Sequence, residues 1–115
     1  MSTPPATEEA AAPTTLAPAQ DGFDELIHAP VRLRLCAALD HAREIEFGTM
    51  MTMLDISKSA LSKHLSALTE AGYVVQRRAV RDSRQRVWLR LTDTGRAAYR
   101  AHVAALHRIV GDSRG

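Results

Sequence analysis

The segment from residue 54 to 73, LDISKSALSKHLSALTEAGY, constrains the fold more than any other part of the chain. Leu61, Leu65 and Leu68 recur at i, i+4 and i+7, which predicts a helix with one apolar face. Ser57 is a suitable N-cap for this helix, and short or basic side chains cover most of its opposite face. Such a helix fits the major groove of DNA, whose walls are phosphates, although an ordinary surface helix has the same pattern.

A basic block follows this helix, between residues 76 and 100. It contains eight arginines and two aspartates, whereas the whole chain has a formal net charge of only +2. Positive charge that is clustered in this way indicates a polyanionic partner more strongly than the total does. The arginines are Arg77, Arg78, Arg81, Arg84, Arg86, Arg90, Arg96 and Arg100.

Length and composition limit the remaining possibilities. A chain of 115 residues is predicted to form one domain. Residues 1–20 are rich in Ala, Thr and Pro and have almost no large apolar side chain, which predicts a disordered tail, with order beginning near Asp21. One cysteine excludes an intramolecular disulfide, and no apolar run is long enough to span a bilayer or to resemble a signal peptide. We therefore expect a cytoplasmic protein.

A first long helix is predicted from Pro30, which suits the first helical position because the N–H that it lacks has no partner there. Val31, Leu35 and Leu39 recur along one face of this helix, which indicates that the face is buried. Residues 44–47 alternate charged and apolar side chains, which favours a short strand.

Residues 47–54 have apolar side chains at helical spacing and are predicted to form a supporting helix before a tight turn. After Gly72 the pattern changes to the alternation of a strand, and residues 86–91 show it again. Asp82 and Ser83 are turn formers in the segment AVRDSRQ between these strands. The order of elements predicts a winged helix-turn-helix, mainly α with a small β-hairpin.

A last helix is predicted from Thr92 or Thr94 to about residue 110, followed by a frayed end at 111–115. Its many alanines give it a high helix propensity. Its apolar stripe exceeds what a small domain covers, so we expect a second copy to pair with it about a two-fold axis, and packing on its own domain is the alternative. The predicted dimerisation residues are Tyr99, Val103, Leu106 and Val110.

The ordered set of motifs resembles that of MarR-type winged-helix transcriptional regulators. The matching segments are ISKSALSKHLSALTEAGYV at 56–74, the D-x-R of residues 82–84, and LTDTG at 91–95. Residues 28–39 also resemble the opening helix of the related ArsR-type regulators. The resemblance covers about residues 23–110. It implies a homodimeric regulator that binds double-stranded DNA in a sequence-specific manner, usually as a repressor, with no cofactor and with an effector that the sequence does not identify.

The resemblance also implies which residues contact DNA. Helix 57–71 would enter the major groove and the wing at 80–86 the minor groove, with Arg84 at its tip. The Asp82 carboxylate is expected to accept a hydrogen bond within the hairpin and so hold Arg84 in place. His64 is explained equally well as a half-buried surface residue, and the other wing arginines as a solvated basic face. The predicted DNA-binding set is Ser57, Lys58, Ser59, Ser62, Lys63, His64, Arg77, Arg78, Arg81, Arg84 and Arg86.

Other classes of function are less consistent with the sequence. A winged helix can serve as a protein-interaction module, but that class does not need a basic wing. An enzyme is not expected, because Ser62 and His64 face different ways on one helix and no phosphate loop or carboxylate pair is present. No metal site is expected, since residues 47–54 lack the cysteine box of ArsR-type sensors. Cys36 lies on an apolar stripe and is predicted to be packed rather than redox-active.

Overall fold

The structure is a computed structural model that describes residues 21–113, and it has the predicted winged helix-turn-helix architecture. The predicted tail at 1–20 lies outside the described residues. In chain order the elements are α1 (Glu25–His28), α2 (Pro30–His41), β1 (Ile45–Glu46), α3 (Phe47–Leu54), α4 (Lys58–Glu70), β2 (Val74–Arg81), β3 (Arg84–Leu91) and α5 (Asp93–Ser113). None of the helices in this part of the chain is long and apolar enough to cross a membrane.

One apolar core joins the helices to the inner face of the sheet. Leu35 and Leu39 of α2 and Leu61, Leu65 and Leu68 of α4 are all at most 1% exposed. Burying one such side chain contributes roughly 1.5–3 kcal/mol. These leucines therefore fix the orientation of α4 on α2, and they are the positions that the helical period predicted.

The turn between α3 and α4 consists of Asp55 and Ile56, as predicted. Asp55 has a φ of 55°, a left-handed conformation that aspartate tolerates better than most residues. The N–H groups of both residues donate to carbonyls in the last turn of α3. α4 then begins after Ser57, whose Oγ accepts a hydrogen bond from the Ala60 N–H at 3.1 Å. The predicted N-cap is confirmed.

The sheet is antiparallel with the strand order β1-β3-β2. β2 and β3 pair along all eight residues of each strand, up to Arg81 opposite Arg84. Asp82 and Ser83 connect them with φ values of 53° and 64°, the pair of positive angles found in tight two-residue hairpins. Most of the segment predicted to connect the strands, residues 79–85, is therefore strand. Local residue types did not reveal how far the ladder extends.

The start of α5 is held against the end of α4 by the LTDTG segment. Thr92 donates from its N–H to the Tyr73 carbonyl at 2.9 Å and from Oγ1 to the Gly72 carbonyl at 2.6 Å. The same Oγ1 accepts from the Gly95 N–H at 2.9 Å, which makes Thr92 the helix cap. A Cβ on Gly95 would lie 2.1 Å from the Tyr73 oxygen, so only glycine fits this approach. Gly72 has a φ of 81°, as expected for a residue that ends a helix.

A buried histidine, His102 of α5, connects this helix to the N-terminal part of the domain. Its Nδ1 accepts from the Asp24 N–H at 2.9 Å, and its Nε2 lies 3.2 Å from Nδ1 of His28. The Asp24 carboxylate accepts from the Tyr73 hydroxyl at 2.6 Å, and the Phe23 ring packs against both imidazoles. Sequence spacing did not predict this cluster, because the two histidines are 74 residues apart.

Cys36 is fully buried in the core next to these residues. Burial, together with the nearby carboxylate of Asp24, raises the pKa of its thiol to about 12. A thiol that is neither exposed nor ionised is unreactive, so the prediction of a packed cysteine agrees with the structure.

Candidate nucleic-acid interface

The exposed face of α4 carries short polar and basic side chains. Because Leu61, Leu65 and Leu68 are turned into the core, the opposite side of the helix is left to solvent. Serine hydroxyls can donate or accept at base edges and phosphates, and lysines supply positive charge. This face comprises Ser57, Lys58, Ser59, Ser62, Lys63 and Ser66. Ser66 belongs to the polar face that the helical period predicted but is not in the predicted DNA-binding set, although its position four residues after Ser62 places it on the same face.

The tip of the hairpin presents two exposed arginines, Arg81 and Arg84, directly opposite each other on the last rung of the ladder. The predicted hydrogen bond that the Asp82 carboxylate would accept within the hairpin is not found in residues 21–113. Asp82 instead adopts a positive φ, which aspartate tolerates and which the tight turn requires. Neither guanidinium group contacts a carboxylate within residues 21–113, and two adjacent cations of this kind favour an anion at the tip.

A groove of about 510 Å³ lies between α4 and the inner face of the hairpin. Positive side chains line both walls, Lys58 from α4 and Arg78 from β2, with Gln76 and Gln85 nearby. Their amides can hydrogen-bond phosphate or sugar oxygens. Because side chains alternate along β2, Gln76 lies on the same face as Arg78, but it carries no charge and is not among the predicted DNA-binding residues.

Carboxylates hold Arg77 and Arg86, Arg77 on the other face of the hairpin and Arg86 beside Glu46 in the lining of the groove. Arg77 donates to both carboxylate oxygens of Glu44, at 2.9 and 2.8 Å, and its guanidinium lies 5.8 Å from the centre of the Trp88 ring. These hydrogen bonds lower the pKa of Glu44 and raise that of Arg77. Arg86 donates to Glu46 at 2.8 Å. The sequence left two roles open for these arginines, phosphate contact or a solvated basic face. The geometry favours neither, since Glu44 holds Arg77 and Glu46 holds Arg86.

His64 lies at the edge of the α4 face, on the side that packs against α1 and α2. Its Nδ1 is 3.1 Å from a guanidinium nitrogen of Arg32. Burial, and then the charges of Arg32 and Lys63, lower the pKa of its imidazole, so the ring is neutral at neutral pH. This agrees with the alternative interpretation of His64 as a half-buried helix residue, and it leaves a ring nitrogen for a further contact.

The predicted dimerisation stripe of α5 is partly covered by the core of its own domain. Tyr99 packs against that core, and Val103 and Leu106 are half-buried. Ile109 and Val110 are 50% and 59% exposed. α5 continues to residue 113, beyond the predicted end at 110. Apolar surface is therefore concentrated in the last turns of the helix rather than spread along it.

Residues 31–110 match the family model described as the winged helix DNA-binding domain, and the chain belongs to this family. Its members are DNA-binding regulators rather than enzymes. The resemblance to MarR-type winged-helix regulators, predicted from the order of the motifs, is confirmed by this match and by the shared fold.

Individual relatives support the same assignment. An uncharacterised protein of Methanocaldococcus jannaschii is 25% identical over 79 residues, which are 69% of this chain and 86% of that protein. The uncharacterised HTH-type transcriptional regulator YdgJ of Bacillus subtilis is 38% identical over 65 residues, 56% of this chain but only 39% of its own length. The structure of a transcriptional regulator homologue from Pyrococcus horikoshii superposes with a TM-score of 0.72 at 24% identity, over 76% of this chain and 86% of that one.

Proposed function

We propose that this protein is a homodimeric transcriptional repressor that binds a specific DNA sequence with α4 in the major groove and the hairpin in the minor groove. One observation carries the proposal: in the part of the chain that the structure describes, exposed cations on α4, on Arg78 in the groove and at the hairpin tip have no carboxylate partner, whereas Arg77 on the opposite face of the hairpin is paired with Glu44. Arg86, which also lines the groove, is paired with Glu46. A polyanion is attracted to the cations without a carboxylate partner more strongly than to the paired ones.

Each element has a distinct role in this proposal. Lys58, Lys63 and the serines of α4 would read base edges or bind phosphates in the major groove. Arg84, with Arg81 opposite, would enter the minor groove, where a narrow A·T-rich sequence has enhanced negative potential. Arg78 would bind the phosphate backbone between the two grooves. The proposed binding of a second copy by α5 would place two α4 helices on a two-fold symmetric operator.

The first test is binding of the purified protein to the DNA immediately upstream of its own gene, titrated by fluorescence anisotropy with scrambled DNA as competitor. We expect saturable binding that survives the competitor and weakens steeply with salt, because each neutralised phosphate releases counterion. Equal affinity for the scrambled DNA would contradict sequence specificity at this site. Failure to bind either DNA would favour the alternative of a protein-interaction module.

The Arg84→Ala substitution tests the wing. We expect it to weaken binding to the operator by roughly 1–3 kcal/mol, the range for one good base contact, and to weaken binding to scrambled DNA less. Arg34→Ala is the matched control, because Arg34 is an exposed arginine on α2, outside the proposed interface. Equal effects of the two substitutions would exclude the wing from specific recognition.

A further inference from the structure

Arg32 of α2 bridges α1 and α4. Its Nε donates to the Leu26 carbonyl at 2.6 Å, at the end of α1, and its Nη1 lies 3.1 Å from Nδ1 of His64. A guanidinium group only donates hydrogen bonds, so Nδ1 of His64 must be the acceptor. A neutral imidazole with an unprotonated Nδ1 carries its proton on Nε2.

The surroundings of His64 also disfavour the doubly protonated ring. Both charged groups that act on it are positive, Arg32 from α2 and Lys63 from α4 itself, while α1 contributes the Leu26 carbonyl that orients Arg32. A second proton on Nδ1 would point at the guanidinium and break the contact. Arg32 therefore selects one of the three protonation forms of this histidine.

The Nε2–H of His64 has no hydrogen-bond partner within residues 21–113. His64 lies on the flank of α4 opposite Lys58 and Ser62, which line the groove beside the hairpin. The major groove has a phosphate wall on each side. If the flank of α4 with Lys58 and Ser62 approaches the phosphate wall nearest the wing, the other flank faces the second wall. Lys63 and His64 lie on that other flank.

We propose that Arg32 is a positioning residue for DNA binding: it holds His64 as the Nε2–H tautomer, which donates to a phosphate oxygen on the groove wall away from the wing. This inference rests on the proposed function. It gives His64, which is already in the predicted DNA-binding set, a defined hydrogen-bond role, and it adds Arg32 as a residue that acts on DNA only through His64. It also predicts that acidification, by protonating Nδ1, separates His64 from Arg32.

Binding experiments with a small set of variants test the contact at neutral pH. We expect His64→Ala and Arg32→Ala each to weaken operator binding roughly 3- to 10-fold, and the double variant no more than either one. His64→Gln should stay within about twofold of wild type, since its amide can accept from Arg32 and donate to a phosphate. Additive losses, or an unchanged affinity of His64→Ala, would overturn the proposal.

Nitrogen-15 NMR of the imidazole rings tests the tautomer without DNA. We expect the Nε2–H form of His64 in the wild type, and in Arg32→Ala a mixture of tautomers with a higher pKa. A wild-type His64 with its proton on Nδ1 would overturn the proposal. If Arg32→Ala does not fold, the affinities of the two His64 variants and the wild-type spectrum test the proposal without it. If the wild type binds no DNA while the tautomer is as expected, the proposed function fails and the link between Arg32 and His64 stands.

Discussion

Neighbouring arginines of the hairpin differ in what they offer to DNA, because strand alternation sends them to opposite faces. Arg77 lies over the Trp88 ring and pairs with Glu44, whose carboxylate compensates its positive charge. Arg78, the next residue, lies in the groove facing Lys58. An ion pair at an exposed site contributes little to stability. The main effect of the pair between Arg77 and Glu44 is therefore to reduce the positive electrostatic potential on that face of the hairpin. Counting arginines in the sequence overstated the basic surface for this reason.

Replacing Gly95 by alanine adds only one methyl group but should lower the stability of the fold. We expect Gly95→Ala to lower the free energy of unfolding by roughly 1–3 kcal/mol, because the new methyl group would overlap the Tyr73 carbonyl and force α5 away from α4. Gly111→Ala is the matched control on the same helix, where an added Cβ meets nothing within 4 Å. That control should be neutral or stabilise by up to about 1 kcal/mol. Equal unfolding curves for the two variants in urea would show that α5 does not dock as described.

At the scale of elements, sequence reasoning succeeded where an element is specified by its own residues. Leu61, Leu65 and Leu68 define α4 through their period, and Thr92 defines the start of α5 through its capping hydroxyl. It did not find contacts between residues that are distant in sequence. The bond between His28 and His102 is the example, since each histidine alone has no distinctive spacing. Contacts of this kind depend on how α1 and α5 pack, which no local pattern encodes.

The connection between the Asp24 segment and α5 should make stability sensitive to acid. Burial, and then His28, lower the pKa of His102 from 6.5, so the folded state favours the neutral ring. The contribution of His102 to the free energy of unfolding is therefore fully present above about pH 6.5. It is lost as the pH falls through the pKa of His102 in the folded state. We expect chemical denaturation of the wild type to show this loss, and the His102→Gln variant to be less stable at neutral pH but to depend less on pH. Parallel pH profiles for the two proteins would contradict the assignment to His102.

At the scale of the whole molecule, the exposed end of α5 and the DNA interface are connected by the proposed dimer. Ile109 is 50% exposed in the last turns of α5, and a second copy of α5 would cover it. We expect light scattering at micromolar concentration to give a dimer for the wild type and a monomer for Ile109→Glu, because a buried carboxylate without a partner is strongly unfavourable. Ala104→Glu is a control for added charge at another exposed position of α5.

The monomeric variant should also bind the operator more weakly while keeping its fold, since one α4 would then contact one half-site instead of two. Its affinity for scrambled DNA should change less, because that binding depends on the local cations of a single domain. A wild-type protein that is monomeric yet binds its operator specifically would show that the last turns of α5 serve another contact. A dimer that survives Ile109→Glu would place the interface elsewhere, and a monomer in Ala104→Glu as well would show that added charge on α5, rather than burial of Ile109, disrupts the dimer.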